Sequence, residues 1–393
     1  MTHKLAYVLN RFPHGHTSIV NELRILSDAD IDVKIIALRQ AQQSDFMRIP
    51  HETGYPVTYL FDSKEGIKSP EFVRDNLECF LGHPLTYGAA AMRSLRWMGS
   101  NFKLASRFVK VLEKVNPTLV YVNWSWSTCG SVMYACRILG LPFVFNIRGT
   151  DIEPPSRNFS LRVRTAKRIL TPSKGYAKIL EDELGVPHNK LRVVPNSMEL
   201  KNFVAIGPAR METTDPLRLL SVGTLRKVKR FEDLINGCAL LRQRGIDFKC
   251  LVYGEGPDRA KLQDLINRLN LTEHVNLKGN LIGEELVKQY EWSDIYVHTS
   301  ERESFCYTVV EAQASARPLV VTDSVGGIRQ SVCPGKSATI VPVGQPQELA
   351  EALIKLAKDP ELRFKMGRAG REYVTQRFSI EKTKPIFLKA LFG

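Results

Sequence analysis

Short apolar runs rich in β-branched residues alternate with helical patterns along the chain, and this alternation leaves few folds open to it. In the first half the runs are KLAYVLN (4–10), DVKIIAL (32–38), LVYVNW (119–124), PFVFNI (142–147), RILTPS (168–173) and LRVVPN (191–196). Apolar strands separated by helices pair in parallel, and the crossover helices cover both faces of the sheet. The first half is therefore predicted to be a parallel α/β domain.

The same alternation starts again after a join near residues 196–216. Its runs are LRLLSVG (217–223), FKCLVYG (248–254), VNLKGN (275–280), DIYVHTS (294–300), PLVVTD (318–323) and ATIVPV (338–343). Because 393 residues exceed what one core supports, we predict two doubly wound Rossmann-like domains, 1–198 and 199–375. A C-terminal helix, 376–393, is expected to cross back to the first domain. Ligands of such sheets bind beyond the carboxyl ends of the strands, so the expected site is the cleft between the domains.

The net charge of +14 implies an anionic partner, such as nucleic acid, an acidic membrane face or a phosphorylated small molecule. No nucleic-acid-binding motif accompanies the basic residues, so we predict no nucleic-acid partner; a solvated basic surface is the alternative. The seven cysteines are odd in number and include no CxxC pair, which favours reduced thiols in a cytoplasmic protein. No signal peptide or apolar run of about 18 residues is present, so no membrane-spanning segment is expected.

A basic loop, GTLRKVKRFEDL, lies between the first strand of the second half and the following helix. Its basic side chains are Arg226, Lys227, Lys229 and Arg230. Fixed cations and the amides at a helix N-terminus suit a diphosphate, whereas the alternative is a basic loop exposed to water. Two further glycine turns, YGEGPDRAKL and DSVGGIRQ, follow strands and allow tight turns under a ligand.

Two glutamates, Glu303 and Glu311, stand eight positions apart in SERESFCYTVVEAQA (300–314). On one continuous helix they would lie about 12 Å apart along the axis and point about 80° apart, too far for one small ligand. DIYVHTS predicts a strand, however, so Glu303 falls in the loop beyond it and Glu311 on the first turns of the next helix. Both carboxylates then reach the cleft edge, where they suit the vicinal hydroxyls of a sugar and a ribose. A pair of solvated surface glutamates is the alternative.

The second half resembles the donor domain of the retaining glycosyltransferases of family 4, which have the two-Rossmann fold called GT-B. The motifs that carry the resemblance are SVGTLRKVKRFEDLI, YGEGP and WSDIYVHTSERESFCYTVVEAQASARPLVVTDSVGGI, and the E-x7-E spacing is the most specific of them. VVPNSMELKNF resembles the family's hinge, and RFPHGHTSIVNEL resembles the N-terminal loop and helix of its polysaccharide-type members.

The resemblance implies a hexosyltransferase that moves a sugar from a nucleotide diphosphate sugar with retention at the anomeric carbon. UDP-sugars are favoured as donors and GDP-mannose comes next; the acceptor is a glycan, a lipid-linked or a small-molecule hydroxyl. No metal and no other cofactor is implied.

The same resemblance implies roles for individual residues. Lys229 matches the lysine that holds the leaving diphosphate, Glu311 the residue that binds the nucleotide ribose, and Glu303 the residue near the donor sugar hydroxyls. The other donor-side positions are Gly15, Gly223, Arg226, Gly254, Ser304, Phe305 and Cys306. The base is expected near residues 278–281.

Three positions depart from the family pattern. Thr224 stands where many members have arginine, and Asn123 and Arg148 stand where members often carry histidine. Arg148 stays charged at any working pH and cannot be a general base; it suits a donor phosphate or an acidic acceptor, or a buried pair with Asp151. Candidates on the acceptor or phosphate side are His16, Asn123, Arg148 and Asp151. The catalytic candidates are Lys229, Glu303 and Arg148.

Two rival functions stay open. A nucleotide-sugar epimerase or hydrolase on the same fold would need an acid/base set, for which His16 and His298 are the nearby candidates. A non-catalytic sugar-nucleotide binding protein is suggested by the three departures.

Two segments have alternative interpretations. The basic and aromatic stretch 93–110 suits either a peripheral contact with the inner face of an anionic membrane, where a lipid-linked acceptor would lie, or a helix packed on its own sheet. The acidic residues of Asp28–Asp30 are interpreted as a turn, not as a metal site.

Overall fold

The structure is a computed structural model that describes residues 3–12, 17–40, 55–61, 70–95, 104–123, 127–149, 159–209, 211 and 216–393. Contacts between Cα atoms divide the chain into two compact units. The first comprises Met1–Pro172, Ala177–Met198 and Thr383–Gly393, and the second comprises Ser173–Tyr176 and Glu199–Lys382.

The first unit contains a parallel sheet of seven strands among the described residues, in the order β3-β2-β1-β4-β5-β6-β7. The strands are β1 (His3–Phe12), β2 (Ile31–Gln40), β3 (Val57–Phe61), β4 (Leu119–Val122), β5 (Phe143–Asn146), β6 (Arg168–Thr171) and β7 (Leu191–Val193). Six of them lie where the apolar runs predict strands. The sequence pattern missed the edge strand β3: Leu60 is buried, whereas Thr58 is exposed, so a continuous apolar run is lacking.

The second unit contains a parallel sheet of six strands in its described part, in the order β10-β9-β8-β11-β13-β15. These strands are β8 (Leu217–Val222), β9 (Phe248–Tyr253), β10 (Val275–Gly279), β11 (Ile295–His298), β13 (Leu319–Thr322) and β15 (Ala338–Val341), and all six were predicted. A separate two-stranded ladder joins β12 (Arg302–Glu303) to β14 (Val325–Gly326). The doubly wound α/β prediction is confirmed for both units.

Helices connect the strands, as parallel pairing requires. Those between the strands of the first unit are α1 (Thr17–Ser27), α2 (Pro70–Gly82), α3 (Pro84–Leu95), α4 (Ala105–Val115), α5 (Ser127–Leu139), α6 (Phe159–Thr165) and α7 (Lys174–Asp182). The remaining ones are α8 (Lys201–Val204), α9 (Phe231–Gln243), α10 (Arg259–Arg268), α11 (Gly283–Trp292), α12 (Tyr307–Ala314), α13 (Ile328–Ser331), α14 (Pro346–Lys358), α15 (Pro360–Phe378) and α16 (Ile380–Phe392). Short 3-10 turns occupy His188–Lys190 and Lys227–Lys229. No helix in the described ranges is both long enough and apolar enough to cross a bilayer.

The last helix packs on the sheet of the first unit. The buried ring of Phe387 lies 5.8 Å from the ring of Tyr121 on β4, centroid to centroid, in an edge-on contact. Arg168 donates a hydrogen bond of 3.0 Å from Nη1 to the carbonyl oxygen of Ala390. Asp28–Asp30 form a turn before β2, as predicted.

The described part of the basic and aromatic stretch 93–110 packs inward. Phe108 on α4 is fully buried, and the guanidinium of Arg107 lies 3.1 Å from a carboxylate oxygen of Asp75 on α2. Lys110 Nζ lies 3.2 Å from the same aspartate. Residues 104–110 therefore pack as the packed-helix interpretation predicts, whereas residues 96–103 lie outside the described ranges and the membrane contact stays a prediction.

Candidate active site

The loops at the carboxyl ends of β8 and β9 pass each other at backbone distance. Gly254 has a φ of 144°, and a Cβ atom on it would lie 1.9 Å from the carbonyl oxygen of Gly223. Only glycine fits such an approach. The glycine after β8 and the glycine after β9 thus allow the ends of these two strands to meet at one edge of the sheet.

The third glycine turn supports the loop that carries Glu303. Arg302 and Glu303 pair in parallel with Val325 and Gly326, and the amide of Val325 donates a 2.9 Å hydrogen bond to the carbonyl oxygen of Glu301. A Cβ atom on Gly327 would lie 2.1 Å from the carbonyl oxygen of Ser304. The glycines therefore allow one loop to lie directly against the other.

The basic loop is hydrogen-bonded to the same region. The amide of Glu301 donates to the carbonyl of Val228 at 2.9 Å, and the hydroxyl of Thr299 donates to the carbonyl of Lys229 at 2.9 Å. The hydroxyl of Ser300 donates to Val228 at 3.1 Å. These bonds fix the 3-10 turn Lys227–Lys229 beside the loop after β11.

Lys229 and Glu303 form an ion pair where these two loops meet. The side chain of Glu303 is 9% exposed and that of Lys229 is 21% exposed. Burial alone would raise the pKa of Glu303, but Lys229 and His298 lower it to about 2. Burial would likewise lower the pKa of Lys229, and Glu303 outweighs that effect, so its pKa is raised. Both groups are therefore charged at neutral pH.

His298 is the second partner of Glu303. Its Nε2 lies 3.0 Å from Oε1 of Glu303 and 3.4 Å from Sγ of Cys306. Burial would lower the pKa of His298, but Cys306 and Glu303 raise it to about 9, so the imidazole holds a proton at neutral pH. Glu303 thus sits between two cations.

Glu311 lies on α12 in a different environment. It is buried, and Tyr290 on α11 donates a 2.8 Å hydrogen bond to its Oε2. Burial raises the pKa of Glu311 to about 7, although the bond from Tyr290 lowers it. Glu303 and Glu311 are each 8% exposed, so the alternative of two solvated surface glutamates is wrong.

The other donor-side candidates divide between buried and exposed positions. Arg230 turns away toward Asp233, at 2.7 Å from Nε to Oδ2, so the four basic side chains do not converge on one spot as the sequence suggested. Arg226 and Lys227 are exposed. The ring of Phe305 packs against Phe378, 5.3 Å between centroids, and Cys306 is the residue that precedes the first turn of α12.

A buried polar network lies in the first unit, where the acceptor side was expected. Arg148, after β5, forms an ion pair with Glu22 on α1. Asn123 Nδ2 donates to Oε2 of Glu22 at 2.6 Å and to the hydroxyl of Tyr7 at 2.7 Å. Tyr7 itself donates to Glu22 at 2.6 Å, and burial and Glu22 raise the pKa of its hydroxyl. Glu22 is thus a partner of Arg148; Asp151, Gly15 and His16 lie outside the described ranges.

Two family models match the chain in succession. Residues 16–202 match the one described as Glycosyltransferase Family 4, and residues 209–373 match Glycosyl transferases group 1. The chain belongs to glycosyltransferase family 4. The resemblance drawn from the motifs is confirmed.

Individual relatives of this family 4 glycosyltransferase are distant. It is 26% identical over 291 residues to N-acetyl-alpha-D-glucosaminyl L-malate synthase of Bacillus anthracis, covering 71% of this chain and 75% of that protein. It is 29% identical over 235 residues to D-inositol 3-phosphate glycosyltransferase of Pseudarthrobacter chlorophenolicus, covering 56% of this chain and 55% of that one. The chain thus spans about half the length of the second relative.

The fold of the family 4 enzyme is GT-B. Its structure is similar to that of Anabaena HepE in complex with UDP-glucose, with a TM-score of 0.74 at 16% identity, covering 99% of both chains. The two parallel sheets described above are the two Rossmann-like halves of this fold.

Three side chains that contact the candidate residues of this glycosyltransferase were missed or misjudged from the sequence. His298 was noted only for a rival function, although its place at the end of β11, just before Glu303, was a usable signal. Tyr290 and Glu22 gave none: each lies on a helix, and nothing in the helical pattern shows that Tyr290 turns to Glu311 or that Glu22 turns to Arg148.

Proposed function

We propose that this glycosyltransferase moves a sugar from a nucleotide diphosphate sugar to a hydroxyl acceptor with retention of anomeric configuration and without a metal ion. The single observation that supports this most is the Lys229–Glu303 ion pair, on two loops that hydrogen bonds hold together at the ends of β8 and β11. It puts a fixed cation beside a fixed carboxylate at the sheet edge where nucleotides bind in such folds.

Lys229 would neutralise the leaving diphosphate. Glycosyl transfer passes through an oxocarbenium-like state while negative charge grows on the departing phosphate, so a preorganised cation stabilises the transition state more than the ground state. When the diphosphate takes Lys229, Glu303 still has His298 as a charged partner at 3.0 Å. Glu303 therefore stays ionised and accepts hydrogen bonds from the donor sugar hydroxyls, beside the backbone of residues 304–306.

Glu311 would bind the ribose of the nucleotide. An ionised carboxylate accepts two hydroxyl hydrogen bonds, which suits the vicinal pair of a ribose. Tyr290 donates to Oε2 and holds the side chain in place, so Oε1 is the oxygen that we assign to the ribose. The buried setting strengthens these bonds because water does not compete for the carboxylate.

Retention needs no covalent nucleophile in this proposal. The acceptor hydroxyl attacks from the face that the diphosphate leaves, and a phosphate oxygen takes its proton. Arg148 cannot take that proton, and its ion pair with Glu22 supports a role in holding the loop after β5. His298 is engaged by Glu303 and Cys306, which does not favour an epimerase or hydrolase that would use it as acid or base.

The donor and the acceptor are proposed from chemistry. UDP-sugars come first, since HepE was solved with UDP-glucose, and GDP-mannose second. The names of the two relatives include L-malate and inositol 3-phosphate, which are small anionic acceptors, and the net charge of +14 suits such partners. A glycan or a lipid-linked hydroxyl, reached through a peripheral membrane contact by a cytoplasmic enzyme, is the second acceptor class.

A donor screen followed by a nucleotide-release assay tests the proposal. A true donor raises the melting temperature in proportion to its occupancy, so UDP, GDP and their sugars are compared first. The selected donor is then incubated with L-malate, inositol phosphate or a lipid-linked glycan, with and without EDTA. We expect slow nucleotide release alone, fast release with the right acceptor and no effect of EDTA. If no nucleotide is released, the chain is a binding protein. If the sugar changes while it stays attached to its nucleotide, the chain is an epimerase.

A further inference from the structure

One cluster in the second unit contains more ligand chemistry than the proposed transfer uses. His298, Glu303 and Cys306 each offer one ligand atom, and these atoms all lie within 4.8 Å of one another. Within the part of the chain that the structure describes, this is the group of three histidine, cysteine or acidic side chains that fits a metal ion. All three residues are buried.

We propose that His298, Glu303 and Cys306 form a site for a thiophilic divalent cation, with zinc as the prime candidate. The cluster offers one sulfur, one nitrogen and one oxygen ligand once zinc binding has displaced the proton of the His298 imidazolium and that of the Cys306 thiol. Thiolate and imidazole favour zinc over magnesium and calcium, which prefer oxygen ligands alone. Three protein ligands leave the fourth tetrahedral position for water or substrate.

The distances between the ligand atoms suit tetrahedral coordination. With Zn–N and Zn–S bonds of about 2.0 and 2.3 Å, a sulfur and a nitrogen ligand lie about 3.5 Å apart, and two nitrogen or oxygen ligands about 3.4 Å apart. Cys306 Sγ lies 3.4 Å from His298 Nε2, and that nitrogen lies 3.0 Å from Glu303 Oε1. All three ligand atoms lie within 4.8 Å of one another, so a rotation of the Glu303 or Cys306 side chain brings the third pair to the tetrahedral spacing.

Zinc would compete with Lys229 for the same carboxylate. Lys229 pairs with Oε1 of Glu303, the oxygen that also faces His298. A bound dication repels the ammonium group, and the flexible lysine side chain, 21% exposed, swings toward solvent. This step rests on the proposed function, in which Glu303 accepts hydrogen bonds from the sugar hydroxyls and Lys229 neutralises the diphosphate. Zinc occupies the first group and displaces the second, so zinc and the nucleotide-sugar donor exclude each other.

Metal binding is measured directly, without any assay of transfer. Untagged protein is stripped of metal with EDTA and desalted. Zinc affinity is then measured by competition with a chromophoric chelator, and Co²⁺ binding is followed by its absorption spectrum. We expect one zinc ion per chain and a cobalt–thiolate charge-transfer band, whereas Mg²⁺ does not compete. Cys306→Ser removes the band and weakens zinc binding by about tenfold or more. Cys333→Ser, which changes a thiol outside the cluster, leaves both unchanged.

A second variant guards against misfolding. Should Cys306→Ser melt at a lower temperature than the wild type, His298→Gln gives the same test through a different ligand. Zinc binding by both variants at wild-type affinity, or a wild-type cobalt spectrum without a thiolate band, would overturn the proposal.

A further titration separates this site from the proposed function. Nucleotide-sugar binding is measured with and without zinc. If zinc weakens donor binding in the wild type and not in Cys306→Ser, the result supports both the metal site and the proposed function. Zinc binding with no donor bound under any condition leaves the metal site standing and removes the transferase proposal. Donor binding with no zinc bound removes the metal site alone.

Discussion

Lys229 and Glu303 form an ion pair across 74 positions of sequence. The two residues lie on loops that follow different strands, β8 and β11, and backbone hydrogen bonds between these loops place the pair. Because the partners are held before any ligand arrives, little ordering is needed when a diphosphate and a sugar bind. Preorganised charge of this kind is the main way in which proteins stabilise transition states.

Replacing Glu303 by glutamine should separate sugar recognition from nucleotide binding. Glu303→Gln keeps the shape and removes the charge, so the donor sugar hydroxyls lose their strongest acceptor, and we expect transfer to fall by about 100-fold. The Kd for the free nucleotide should stay nearly unchanged, because the ribose and diphosphate contacts remain. Calorimetry with the nucleotide and with its sugar measures both. A nucleotide Kd that weakens as much as the nucleotide-sugar Kd would contradict this division, and Glu303→Asp is the charge-conserving control.

The carboxyl group of Glu311 should make stability and donor affinity depend on pH in opposite directions. Burial raises its pKa from 4.5 to about 7. A raised pKa stabilises the folded state at low pH, so wild-type stability relative to Glu311→Gln should fall by about 3 kcal/mol as pH rises from 4.5 to 7, and stay level above that. Melting temperatures of the two proteins across this range measure the difference.

Donor binding should show the reverse trend, because only the ionised carboxylate accepts both ribose hydroxyls. From pH 6 to pH 8 the ionised fraction of a group with a pKa of about 7 rises by about tenfold, and wild-type affinity should rise with it. Glu311→Gln should bind weakly and equally at both values. A pH profile shared by the two proteins would remove Glu311 from the ribose site.

The sequence predicted the fold, whereas it predicted only some of the side-chain contacts of the candidate site. Twelve strands of the two sheets could be found because most are short apolar runs; three of the twelve, β7, β10 and β15, are edge strands, whereas edge strand β3 was missed. The sequence predicted a role for Lys229 from the basic-loop motif and roles for Glu303 and Glu311 from the E-x7-E spacing. Glu22 stands 126 positions from Arg148, and no local pattern encodes a contact that only packing creates.

The buried carboxylate of Glu22 should be structural. It pairs with Arg148 and accepts hydrogen bonds from Tyr7 and Asn123, so Glu22→Gln removes a negative charge that a buried guanidinium contacts. We expect a loss of about 3–5 kcal/mol in the free energy of unfolding. Glu113→Gln is the matched control: its carboxylate is 49% exposed and pairs with His83, so it should cost at most about 1 kcal/mol. Urea unfolding measures both, and equal losses would show that the network contributes little.

The most direct measurement compares two lysines of the same turn in single-turnover sugar transfer. Lys229 contacts Glu303, whereas Lys227 is exposed, so Lys229→Met and Lys227→Met remove the same charge two residues apart. We predict that Lys229→Met slows transfer by about 100- to 1000-fold and that Lys227→Met stays near the wild-type rate. The melting temperatures of both variants check that they are folded. Wild-type transfer by Lys229→Met, or equal slowing in both variants, would contradict the role of Lys229 at the leaving diphosphate.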